Sequence, residues 1–183
     1  MKKTRLCTPL LVAALGTLFA HSAMASDGII SFNGKITANT CTVKLNETNS
    51  ASSTVTLPTI AATALPNNND VAGITAFKIE LSGCVLTEAI SVSTYFEPGS
   101  TVNAAGRLIN STGDSEGVDI QLLNKDLGVI AAGQESDSQN DVIVSMASDA
   151  LTATLAYYAQ YYRTGPITPG TLETKVNYTV VYD

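Results

Sequence analysis

The chain predicts an all-β fold of the immunoglobulin-like sandwich class, with one disulfide. Three observations carry this. Short runs that alternate apolar and polar residues are separated by clusters of Gly, Pro, Asn and Asp at the spacing of a sandwich. Two cysteines, Cys41 and Cys84, remain once a removable leader is set aside. Only one stretch, residues 60–65, has any helical character, and Pro66 stops it after at most a turn.

The leader comes first. Lys2, Lys3 and Arg5 precede an apolar run over residues 10–20, and Ala23-Met24-Ala25 forms a small-x-small cleavage site. Residues 1–25 therefore read as a secretory signal peptide. The apolar run is shorter than the roughly 20 residues that span a bilayer. The mature chain, residues 26–183, has seven basic against sixteen acidic side chains, a formal charge of −9. That charge argues against binding nucleic acid. The single histidine, His21, leaves with the leader. The mature chain then lacks a Ser-His-Asp or Cys-His arrangement and a histidine metal ligand. Two cysteines in an exported chain read as one disulfide, Cys41 to Cys84.

The elements follow in order. Residues 28–37 form a strand pattern with no partner close by in sequence. Thr40-Cys41-Thr42-Val43-Lys44-Leu45 is the next strand, followed by a polar stretch over 46–53. Thr54-Val55-Thr56-Leu57 alternates up to Pro58, and Asn67-Asn68-Asn69-Asp70 is a loop. Residues 76–81 alternate and lead to Cys84. Residues 89–96 form a strand closed by Glu97-Pro98-Gly99. Residues 118–123 and 128–131 pair as a hairpin about Asn124-Lys125-Asp126. Residues 142–146 form a short strand and 154–163 a long one. After the turns at Gly165-Pro166 and Pro169-Gly170, residues 173–183 form a strand reaching the last residue. On it Val176, Tyr178, Val180 and Tyr182 share one face.

Three clusters invite chemistry, and each has a plainer reading. Asp114, Glu116 and Asp119 lack the ligand spacing of a calcium loop and read as a solvated turn. Glu135, Asp137 and Asp141 read as an exposed loop, not as a glycosidase carboxylate pair. Tyr157, Tyr158, Tyr161 and Tyr162 split between the two faces of one strand, one pair core and one half-exposed, in preference to a sugar-stacking platform. No catalytic residue, metal ligand or cofactor-binding residue is assigned.

The two ends carry a resemblance. Phe32-Asn33-Gly34-Lys35-Ile36, then Cys41-Thr42-Val43, Cys84, Leu57-Pro58-Thr59-Ile60, Gly170 fourteenth from the end and the penultimate Tyr182 occur in order and spacing over essentially the whole mature chain. The chain resembles the pilins of the bacterial chaperone–usher pathway, close to the type 1 fimbrial major subunits. The resemblance implies an incomplete sandwich whose missing seventh strand comes from a neighbouring subunit or a chaperone. It implies residues 26–40 as a donor-strand extension and 41–183 as the pilin domain. Ile30, Phe32, Gly34, Ile36 and Ala38 would face the neighbour's groove. Gly170, Val176, Tyr178, Val180, Tyr182 and Asp183 would border the groove and meet the chaperone. The partners implied are related pilin subunits head to tail, a periplasmic chaperone and an outer-membrane usher. The expected function is a structural subunit of a surface fimbria, without catalysis or cofactor. The alternative is a minor or adaptor pilin, or an adhesive tip pilin that binds a host carbohydrate; 158 residues are too few for the separate lectin domain such tip proteins carry.

Overall fold

The computed structural model describes residues 30–32, 34, 36 and 40–183. The leader 1–25 and Ala38 lie outside the described residues. Among the described residues there are nine strands: β1 (Thr40–Leu45), β2 (Val71–Val85), β3 (Ile90–Phe96), β4 (Leu108–Ile109), β5 (Glu116–Asn124), β6 (Val129–Ile130), β7 (Val144–Met146), β8 (Thr152–Thr168) and β9 (Tyr178–Tyr182). Among the described residues, helical structure is limited to two single turns, Ala62–Ala64 and Ser136–Ser138. The first is where the alanine- and threonine-rich run before Pro66 predicts at most a turn.

The strands form two antiparallel sheets. One has the order β1-β2-β8-β5-β4, with β6 also on β5; the other has the order β7-β3-β9. β1 and β9 are therefore terminal strands of their respective sheets. Alternation decides the inward faces. In β2, Phe77, Ile79 and Leu81 are buried while Lys78, Glu80 and Ser82 are not. In β3, Ile90, Val92, Thr94 and Phe96 are buried. These rows meet Ile120 and Leu122 of β5 and Leu155 and Tyr157 of β8 in one core. Tyr157 sits at its centre, stacked on Phe77 at 5.4 Å and edge-on to Phe96 at 5.3 Å. It supplies the large aromatic that a chain without tryptophan needs there.

Cys41 and Cys84 are disulfide-bonded across β1 and β2, with Cα atoms 4.1 Å apart. The β1–β2 register slips between Thr40 and Thr42, and Gly83 takes φ +60° at that bulge. A glycine accepts that backbone at little cost. The extra residue returns Cys84 to the inward face, where it is buried.

Two expectations about elements are corrected, and one strand was not expected. The final strand begins at Tyr178, not at 173, because residues 171–177 bond to loops instead of to a strand. Residues 54–57 alternate as expected but have no strand partner among the described residues, so they form no ladder there. β4 is an unforeseen two-residue strand, too short for periodicity to reveal.

Candidate functional site

The last eleven residues before the terminal Asp183 are one extended segment whose side chains alternate from Leu172 to Val180, with Val181 half-buried on the outer face. Leu172, Thr174, Val176, Tyr178, Val180 and Tyr182 are half-buried, while Glu173, Lys175, Asn177 and Thr179 are exposed. All but Thr174 of the even-numbered set pack against the core.

The backbone follows the same division. Asp183 and Ser91 exchange hydrogen bonds of 2.8 and 2.9 Å, and the Asn177 carbonyl accepts from the Glu97 N–H. Val181 and Thr179 stand opposite Ser93 and Tyr95 in the intervening ladder. Upstream, the carbonyls of Thr171 and Glu173 accept from Ser115 and Ser111, and the Lys175 carbonyl accepts from the Thr101 hydroxyl at 2.6 Å. Odd-numbered residues thus spend their backbone groups on the body. A strand residue directs its N–H and C=O to the same side. The even-numbered residues 172–182 therefore present theirs outward, and among the described residues no backbone hydrogen bond meets them. This is an eleven-residue open sheet edge beside a row of half-covered apolar side chains.

A second unpaired segment accompanies it. Across 53–60 the backbone makes no hydrogen bond to either sheet among the described residues. Val55 and Leu57 nonetheless pack on the core, and Thr54 and Thr56 are exposed. The segment leaves β1 through a tight turn, in which the Leu45 N–H donates to the Ser50 carbonyl at 2.9 Å. Its start meets the last segment at one point, where the Tyr178 hydroxyl donates to the Ala51 carbonyl at 2.6 Å. The segments 53–60 and 172–182 thus border one uncovered stretch of core. Partial burial pushes the Tyr178 and Tyr182 hydroxyl pKa values up.

The opposite side of the same sheet is sealed. β7 pairs with residues 90–92 of β3 only. Beyond it, side chains replace a strand. The fully buried Gln139 accepts from the Phe96 N–H and donates to the Phe96 carbonyl at 2.8 Å. Asp141 accepts from the Thr94 N–H and from the Tyr157 hydroxyl at 2.8 Å. Burial raises the Asp141 pKa, and the bonds from Thr94 and Tyr157 oppose the rise. Asp141 is therefore not part of an exposed loop. Asp119 likewise departs from a solvated turn: it is buried on β5 and ion-paired to Arg107 at 3.1 Å. Among the described residues, no group of three or more His, Cys, Asp or Glu is placed to hold a metal ion.

The remaining singled-out residues fall as follows. Ile30, Phe32 and Ile36 are 81, 89 and 102 % exposed. A Cβ on Gly34 would meet nothing within 4 Å. A Cβ on Gly170 would meet the Asp114 and Ser115 backbone at 2.8 Å, so glycine there lets the chain entering the last segment pass close by. Leu172 and Thr174 belong to the half-buried row 172–182, and Val55 and Leu57 of the segment 53–60 pack on the same core. The alternation of Thr54-Val55-Thr56-Leu57 was the available signal for the latter.

Residues 57–183 match the family model of the type 1 fimbrial protein, FimA. The chain belongs to that family. It is 41 % identical to the major fimbrial subunit SMF-1 of Stenotrophomonas maltophilia over 168 residues, covering 88 % of this chain and 96 % of that protein. It is 40 % identical to the F17 fimbrial protein of Escherichia coli, covering 92 % and 96 %. Among solved structures, the P pilus rod subunit PapA aligns with a TM-score of 0.56 at 15 % identity, over 78 % of this chain and 99 % of that one. A chaperone–usher pilus structure aligns at 0.55 and 17 % identity, over 86 % and 96 %. The fold is thus the immunoglobulin-like sandwich of those pilins, and the chain is a structural subunit of a cell-surface fimbria.

Proposed function

We propose that this subunit is the repeating element of the fimbrial shaft and joins its neighbours by strand exchange. Residues 28–38 of one subunit lie along the open edge 172–182 of another. The observation that carries this is the eleven-residue unpaired edge beside half-buried apolar side chains. The arm has the same length, and Ile30, Phe32, Gly34, Ile36 and Ala38 alternate to one side of it. Main-chain bonds supply adhesion and the side-chain row supplies register. A one-residue slip would turn Ser31, Asn33, Lys35 and Thr37 inward. The contact is heterologous and does not close, so it propagates as a filament.

Energetics favour a kinetic account of durability. Burying Ile30, Phe32 and Ile36 contributes roughly 1.5–3 kcal/mol each. Ordering eleven residues costs about 1–2 kcal/mol apiece. Backbone bonds and the covering of the acceptor's own apolar row supply the remainder, and release requires opening a core.

In this reading residues 1–25 are removed on export, 26–40 are the donor extension and 41–183 the pilin domain. A periplasmic chaperone fills the groove before assembly, contacting Tyr182 and the terminal carboxylate of Asp183, and an outer-membrane usher exchanges it for the arm. The subunit performs no catalysis and needs no cofactor. Phe32→Asp tests the reading, because it would bury an unpaired charge in the neighbour and not in its own subunit. The variant should fold with wild-type stability yet form no polymer on gels run without boiling. Equal loss of subunit stability and polymer would mean that the arm is an ordinary first strand.

A further inference from the structure

We propose that Tyr178 is a latch across the empty groove, and that its hydroxyl bond to Ala51 must break before a strand can enter. The inference rests on the strand-exchange reading. It adds a residue that controls the rate of uptake.

Three observations converge on it. The Tyr178–Ala51 bond, 2.6 Å long, is the one hydrogen bond joining 172–182 to 50–60 among the described residues. Its acceptor end is anchored, because Ala51 follows the turn closed by Leu45 N–H to Ser50 and by the Thr48 hydroxyl to Leu45 at 2.7 Å. Its donor lies on the inward, half-buried row of the open edge. Neighbouring strands stand about 4.8 Å apart, so an inserted strand requires its two flanking chains about 10 Å apart. The bonded Tyr178 ring runs from one bank to the other on the inward side, where the side chains of an inserted strand must go.

The chemistry points the same way. Every groove-facing residue of the arm is apolar or glycine: Ile30, Phe32, Gly34, Ile36 and Ala38. None offers a side-chain acceptor to a tyrosine hydroxyl. A phenylalanine would line the groove for such a strand equally well, so the hydroxyl serves the empty state. A bond made in one of two states biases the equilibrium and the barrier toward that state.

The test uses the exported chain, purified and refolded, with a fluorescent peptide of residues 28–38. Tyr178→Phe should raise the association rate roughly two- to tenfold, the kinetic equivalent of one net hydrogen bond. Its dissociation rate should stay within about twofold of wild type, because the latch is already open in the filled state. Tyr95→Phe, on the outward face of β3 and with no hydroxyl hydrogen bond among the described residues, should leave both rates unchanged. Equal association rates for wild type and Tyr178→Phe, or equal acceleration by Tyr95→Phe, would overturn the latch and leave the groove standing. Failure of the wild-type chain to prefer this peptide over a scrambled one would overturn the groove itself.

Discussion

β3 and β9 are neighbours in one sheet, pair with each other residue by residue, and face the same core, yet they are buried to different degrees. Every inward side chain of β3 is buried, Val92 to 1 % exposure. The inward side chains of β9, Tyr178, Val180 and Tyr182, are all half-exposed. Composition does not separate them, since both rows are apolar or aromatic apart from Thr94. The difference is on the far edge. β3 has β9 on one side and, on the other, β7 continued by the side chains of Gln139 and Asp141. β9 has β3 on one side and, among the described residues, no strand on the other. A strand's inward face is covered by the strands on both of its flanks as much as by the opposing sheet. The half-exposed row of β9 is what a sandwich looks like where one strand's width is missing.

The largest expected effect comes from releasing β1, the terminal strand of the other sheet. Cys41→Ser opens a loop that spans 43 residues and should remove about 4 kcal/mol of constraint. Urea unfolding of the purified subunit measures it, and a loss under about 1 kcal/mol would show that packing alone holds β1 in place.

A sharper test sets the two strands against each other with the same substitution. Val92→Ala should cost about 2–3 kcal/mol in the isolated subunit and the same in the polymer, since its site is complete in both. Val180→Ala should cost roughly 1 kcal/mol in the isolated subunit and about 2–3 kcal/mol once a strand covers it. Denaturant midpoints of monomer and polymer give both numbers. An equal penalty for Val180→Ala in the two forms would break the comparison.

The smallest effect concerns the seal on the β3 side. The folded pKa of Asp141 is raised above the ordinary 3.8, chiefly by desolvation. The folded state therefore binds more protons than the unfolded one between 3.8 and that raised value. Stability assigned to Asp141 should rise as pH falls through this window and be lowest near neutrality. Asp141→Asn should remove the slope, with the amide oxygen accepting from the Thr94 N–H and the amide NH2 facing the Tyr157 hydroxyl oxygen. Unfolding midpoints from neutral pH down to about 4 check it; a constant difference between the two proteins would exclude the effect.

Local pattern carried much of this fold. The runs at 40–45, 76–81, 89–96 and 118–123 became strands because alternation and flanking turn residues act within a few residues. The hairpin about Asn124 was equally legible, and its side chain caps the turn by accepting from the Asp126 and Gly128 N–H groups. The arm's apolar alternation and the even-numbered row of the last segment were visible in the same way. Asp141 and Gln139 were not, because standing in for a strand depends on β3 lying beside them, 43 residues away in the chain for Gln139 and Phe96.

Adjacent residues settle which segments alternate, which turns interrupt them, and that two cysteines in an exported chain would pair. Those properties reside in the backbone preferences and polarity of adjacent residues. Tertiary structure alone decided which alternating segments acquire partners. Thr54-Val55-Thr56-Leu57 and residues 172–177 have the pattern of strands and remain outside the ladders of the described residues, because a strand is made by its neighbour. Hydrogen bonds across a sheet join residues that the chain brings together only on folding.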